Sequence, residues 1–144
     1  MGAACRRVDS RALPPPLVPA RAELAPFTGA DGGSILIACD GVVFDMASHP
    51  TGVDFYGPGR GYGIFAGADA TVGLATMNLK PAEWGATAYG DLTADQRSTL
   101  AGWTSKFLEK YAVVGALVDG TRPTALAELP ARVEAARAAA AAAK

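Results

Sequence analysis

The chain has 144 residues, half of them apolar and 19% charged, with a formal net charge of −1, so it can build one ordinary core and does not have the composition of a disordered protein. Residues 35–120 carry five basic against nine acidic side chains, the reverse of what neutralising nucleic-acid phosphates requires. Cys5 and Cys39 show no CxxC spacing, and no apolar run approaches the roughly 20 residues of a membrane span, so neither a disulfide scaffold, a zinc site nor a transmembrane helix is expected.

Residues 1–20 include Pro14, Pro15 and Pro16, which fix extended backbone and remove donors, and they read as a disordered Pro-rich arm. The opening Met-Gly-Ala-Ala-Cys offers Gly2 and Cys5 for lipidation. Arg6 stands where that signal has Ser or Thr, so an arginine-containing tail or a removable targeting peptide is the simpler reading. Two β-rich runs follow, Ile35 to Cys39 and Val42 to Phe44, separated by Asp40-Gly41, the pair that favours a tight hairpin. After Asp45 comes "MASHPTGVD", whose His49-Pro50 step reads as a surface turn.

The next stretch, "FYGPGRGYGIFAG", sets aromatic rings among glycines at 57, 59, 61, 63 and 67, which let backbone pass close to something flat or bulky. Tyr56 and Tyr62 are its main polar groups besides Arg60. Their rings can pack the core with hydroxyls tied to backbone; alternatively a deprotonated phenol is a hard anionic ligand suited to ferric iron. Asp69 is placed to cap a short helix with Val72, Leu74 and Ala75 among its apolar positions. Thr93 and Gln96 form a capping box for a longer helix with Leu100, Trp103, Phe107 and Tyr111 on its inward face and Lys110 at the margin of that face. "AVVGALV", Ala112 to Val118, predicts a closing strand, and the alanine-rich residues 121–144 predict an exposed or frayed helical tail. Strands at both ends with helices between describe an α+β domain over residues 21–120. No serine lies in a nucleophile elbow and the single histidine offers no triad, so no catalytic residue is assigned.

Three segments in order, "AELAPFTGADGGSILIACDGVVFD", "FYGPGRGYGIFAGADATVGLA" and "LTADQRSTLAGWTSKFLEKYAVVGAL", resemble the membrane-associated progesterone receptor family, a branch of the cytochrome b5-like haem/steroid-binding domains, over roughly Ala22 to Leu117. The resemblance implies a cytochrome b5-like fold, a small mixed sheet with helices forming a haem or ligand pocket. It implies haem b held by one tyrosine phenolate, here Tyr62, with Tyr56, Lys110 and Tyr111 in hydrogen bonds around it, and Asp69 at a family acidic position. Lys110 can donate to a phenolate or a propionate. The function implied is a non-enzymatic haem-binding module for haem handling or regulation of partners such as haem-thiolate monooxygenases, with haem-linked homodimers as one assembly. A haem-free adaptor subunit of a larger assembly and a sterol-binding module are the alternatives.

Two departures bear on this expectation. His49-Pro50-Thr51-Gly52 echoes the His-Pro-Gly-Gly loop of ordinary cytochrome b5 proteins, yet His49 is the only histidine, so bis-histidine ligation within the chain, and the electron-carrier role that depends on it, are excluded. His49 is left as a turn residue or a minor second ligand. The membrane helix usual at the N-terminus of the family is not found in this sequence, and no compartment is assigned.

Overall fold

The computed structural model describes residues 20–30 and 32–142; residues 1–19 of the Pro-rich arm, with Gly2 and Cys5, lie outside the described residues. Strands β1 (Leu36–Cys39) and β2 (Val42–Asp45) form the hairpin expected from Asp40-Gly41. Asp40 at φ +56° and Gly41 at φ +82° are both left-handed, the type I′ geometry whose twist matches that of the flanking strands. A short strand β3 (Ala68–Asp69) pairs parallel to β1, and β4 (Ala112–Ala116) pairs antiparallel to β2, giving the order β3-β1-β2-β4.

Both faces of this mixed sheet are covered, which is why the strands read as continuous apolar runs rather than alternating ones. One face, with Ile37, Cys39, Val42 and Phe44, packs on Phe65, Leu74, Leu100 and Phe107 from the helical side. The other, with Leu36, Ala38 and Val43, is closed by Leu24, Phe27 and Leu117. Each such fully buried large side chain stabilises the fold by about 1.5–3 kcal/mol.

Among the described residues four α-helices accompany the sheet: α1 (Pro50–Tyr56), α2 (Thr71–Thr76), α3 (Ala94–Lys110) and α4 (Leu129–Ala142). The α3 capping box forms as expected, Gln96 N–H donating to Thr93 Oγ1 at 3.1 Å and Thr93 N–H to Gln96 Oε1 at 2.9 Å. Leu100, Thr104 and Phe107 are its buried stripe, and Phe107 meets Phe44 edge-on at 5.4 Å.

Helix α1 differs from the surface turn expected at His49-Pro50. Pro50 sits in its first turn, where a missing N–H costs nothing, and His49 caps it, Nδ1 accepting from Thr51 N–H at 3.2 Å. The alanine-rich segment docks by its first turns: Leu129 is buried, Val133 packs against the main core, and the Arg132 guanidinium reaches Thr124 Oγ1 at 2.6 Å and the Asp40 carboxylate at 3.2 Å. Among the described residues no helix is long and apolar enough to cross a membrane.

Candidate functional site

The sheet has two ends. At the end away from the Asp40-Gly41 turn, where Asp45 pairs with Ala112, α1 and the last turns of α3 flank a cavity of about 310 Å³. Tyr56, Phe107 and Tyr111 are its buried walls. Phe55, Trp103, Lys106 and Lys110 form the edge, and half-buried Tyr62 completes it. Four residues singled out in the sequence therefore converge: Tyr56, Tyr62, Lys110 and Tyr111 all line one space.

Local structure places each tyrosine. Tyr56 is the last residue of α1, and Gly52 lets that helix lie close because a methyl there would run into the Met46 carbonyl oxygen. Beyond α1 the chain turns tightly, Arg60 N–H donating to Gly57 O at 3.0 Å with Gly59 at φ +77°, and Tyr62 N–H returns to Phe55 O at 3.0 Å. The turn stacks the Tyr62 ring on Tyr56, centroids 6.0 Å apart and planes 30° from parallel, and sets it edge-on to Trp103 at 6.2 Å. Tyr111 follows α3 directly and meets Tyr56 edge-on at 6.3 Å.

The hydroxyls divide into two kinds. Tyr111 Oη lies 3.1 Å from Thr51 Oγ1, which lies 2.9 Å from His49 Nδ1, so Tyr111 is tied into the cap of α1. Because Nδ1 also accepts from the Thr51 amide, the neutral ring carries its proton on Nε2. His49 is thus engaged in capping and does not line the cavity. The Tyr56 and Tyr62 hydroxyls, by contrast, have no protein hydrogen-bond partner among the described residues. Burial, with the neighbouring Tyr111 second, pushes the Tyr56 phenol well above its ordinary range, so it is a protonated donor at neutral pH.

Asp69 is not part of this site. It lies in β3, buried, and its carboxylate accepts from Thr71 Oγ1 at 2.6 Å, Thr71 N–H at 3.3 Å and Thr121 N–H at 2.8 Å. The N-cap position of α2 is Ala70, with no side-chain cap hydrogen bond, so Asp69 is not the cap expected; its carboxylate instead ties Thr71, the first residue of α2, to the segment after β4. Lys106 and Phe55 were not singled out by sequence reasoning. Lys106 sits one turn before Lys110, its Nζ 5.5 Å from the centre of the Trp103 indole, and position on α3 relative to Trp103 was the available signal.

Chemically, the cavity offers flat aromatic walls, a phenol donor without a protein acceptor, a second phenol at the mouth, and two ammonium groups with no carboxylate in the lining. An unpartnered buried donor costs about 1–3 kcal/mol, which a ligand acceptor would recover. For a haem, the Tyr62 phenol at the mouth is an oxygen donor whose chemistry would suit ferric iron, and Lys106 and Lys110 at the edge are cations that would suit its propionates. The volume is at the lower end of the roughly 300–1,000 Å³ of small-molecule pockets, so a ring system of haem or sterol size would keep one side uncovered. A separate cavity of about 350 Å³ beside Pro58, Arg60 and Ile64 has no aromatic wall.

No family model matches the chain. It is 43% identical over 107 residues to membrane-associated progesterone receptor component 2 of Rattus norvegicus, covering 71% of this chain and 47% of that protein. It is 38% identical over 98 residues to probable steroid-binding protein 3 of Arabidopsis thaliana, covering 67% of this chain and 94% of that one. A solved structure, a hypothetical protein from Arabidopsis thaliana described as having a cytochrome b5-like fold, superposes with a TM-score of 0.58 at 37% identity over 69% of this chain and 90% of that one. With its mixed four-stranded sheet and flanking helices, the molecule is an α+β protein of the cytochrome b5-like class. The chain belongs to the membrane-associated progesterone receptor family. It spans about half the length of the first curated relatives it matches, 52% of protein vem-1 of Caenorhabditis elegans and 47% of the rat protein.

Proposed function

We propose that the chain is a non-enzymatic binding module whose aromatic cavity holds haem b, with the Tyr62 phenolate as the ligand to ferric iron. The observation that carries this is the position of Tyr62: half-buried at the mouth of the cavity, stacked on Tyr56, its hydroxyl without a protein partner among the described residues. Tyr56, kept protonated by burial, would donate a hydrogen bond inside the site, Tyr111 walls it with its hydroxyl bonded to Thr51, and Lys110 stands at its edge. Bound haem would supply a ferric centre, which an anionic oxygen ligand stabilises over the ferrous form. That preference suits holding or delivering haem, or regulating a partner protein through an uncovered haem face, better than shuttling electrons.

Titrating the purified protein with haemin and following the absorption spectrum tests this. The expected result is a high-spin ferric spectrum with a tyrosinate charge-transfer band, lost in Tyr62→Phe together with at least about tenfold in affinity, equivalent to ~1.4 kcal/mol. No ferric bands in the wild type, or a spectrum indifferent to Tyr62→Phe, overturns the proposal in favour of a haem-free adaptor.

A second reading is favoured by the names of relatives: one is called a probable steroid-binding protein, and a sterol could occupy the same cavity against Phe107 and Trp103. Displacement of a fluorescent sterol by haemin is expected if the two share the site; simultaneous binding would separate them.

A further inference from the structure

We propose that Lys106 is a specificity-determining residue that adds a second ammonium to the cavity edge, so that the site selects the acid over the neutral form of a flat or fused-ring ligand. This deepens the proposed function and rests on the cavity being the ligand site.

Both lysines are in the C-terminal half of α3, four positions apart, and both line the cavity. That spacing places two like charges on one strip of the helix, where they repel each other. Lys110 lies in the last turn, where the helix dipole favours a cation; Lys106 is a turn further from that end, so the dipole explains it less well. The cavity lining contributes no carboxylate to offset either one.

Lys106 is exposed, but its stem and ammonium lie along the cavity edge rather than away from it. Its ammonium sits 5.5 Å from the Trp103 ring centre, and Trp103 is itself edge-on to Tyr62 at 6.2 Å. The charge is thus held against an aromatic wall of the cavity, beside the phenol at its mouth. A ring system lying against Tyr62 and Trp103 and bearing a carboxylate toward α3 would gain a charge-assisted hydrogen bond there. A neutral sterol would not. The carboxylate could come from a haem propionate or from the side chain of a steroid acid, and Lys106 would act on either as a specificity-determining residue.

The test uses the full chain and four probes: haemin, haemin dimethyl ester, 5β-cholanic acid and its methyl ester. In the wild type each acid is expected to bind about three- to tenfold more tightly than its uncharged counterpart, the modest end for an exposed charge pair. Lys106→Gln is expected to shrink that acid-to-neutral ratio while leaving the neutral probe's affinity and the melting temperature unchanged, and Lys106→Arg to restore it. Whichever pair binds identifies the source of the carboxylate. Equal binding of acid and neutral probes, or a Lys106→Gln loss that is the same for both, overturns the carboxylate assignment while leaving the cavity as the ligand site. Failure of all four to bind overturns the cavity reading and this inference with it.

Discussion

The two ends of the sheet treat polar groups in opposite ways. At the turn end, Asp40 is saturated: both carboxylate oxygens accept from Arg122 at 2.8 and 3.0 Å, and Arg132 approaches one of them at 3.2 Å. Arg122 also lies over the Tyr89 ring at 4.6 Å and donates to its hydroxyl at 3.2 Å, while Arg132 bonds Thr124 and the Asp40 carbonyl oxygen. At the cavity end, two phenols have no protein partner among the described residues and two lysines face a lining without carboxylates. A polar cluster that satisfies itself holds the chain together; one left incomplete among aromatic walls keeps donors that a ligand could satisfy. On that contrast, changes at the turn end should alter stability and spare haemin binding, and changes at the cavity end should do the reverse.

The largest expected effect breaks the contrast on purpose. Gly52 packs α1 against the Met46 carbonyl oxygen so closely that an added methyl group has no room unless the helix moves, and Tyr56 moves with it. Gly52→Ala is expected to cost about 3 kcal/mol, measured by urea denaturation, and to weaken haemin binding in the fraction that still folds. Normal binding with normal stability would show that α1 does not fix the site.

Next comes the turn end alone. Asp40→Asn keeps a residue that tolerates the left-handed conformation at φ +56° but removes the charge facing Arg122 and Arg132. With these side chains partly solvent-exposed, the expected loss is about 1–2 kcal/mol, with the haemin spectrum unchanged. A spectral change would mean that the latch on α4 is felt at the cavity through α3.

What could be read in the sequence is what local chemistry determines. Asp40-Gly41 specifies a turn, Thr93 and Gln96 start α3, and the spacing of Leu100, Phe107 and Tyr111 sets its buried face, each within a few residues. Helix α1 was not legible because Thr-Gly-Val-Asp-Phe-Tyr has weak helix propensity; its helix is held by Gly52 on Met46 and by the burial of Tyr56, contacts that no local pattern announces. The same holds for Asp69, half of whose carboxylate serves Thr121 N–H, 52 residues along the chain. It holds for Arg122 and Arg132 as well, whose partner Asp40 lies 82 positions from the first of them. Lys106 was silent because a lysine on a largely polar helix is ordinary until Trp103 and the cavity are placed beside it.

The smallest expected effect sharpens the comparison most, because its sign is opposite at the two ends. Tyr56→Phe removes a buried hydroxyl that has no protein partner among the described residues and keeps the ring against Phe107 and Tyr111, so stability at pH 7 is expected to stay level or rise by up to about 1 kcal/mol. Alkaline pH gives an independent check. The Tyr56 phenol titrates higher in the folded chain than its ordinary value near 10, so above that pH the unfolded chain loses the proton first. Protons are then held by the folded state and not by the unfolded one, which makes stability fall as pH rises. The Tyr56 contribution is complete below about pH 10 and declines above it, and Tyr56→Phe should flatten that part of the pH profile. Haemin binding should weaken in the same variant if the phenol donates to the ligand. A variant that is destabilised at neutral pH while binding haemin normally would mean that this hydroxyl serves the fold, and the distinction between the two ends would fail at its most buried residue.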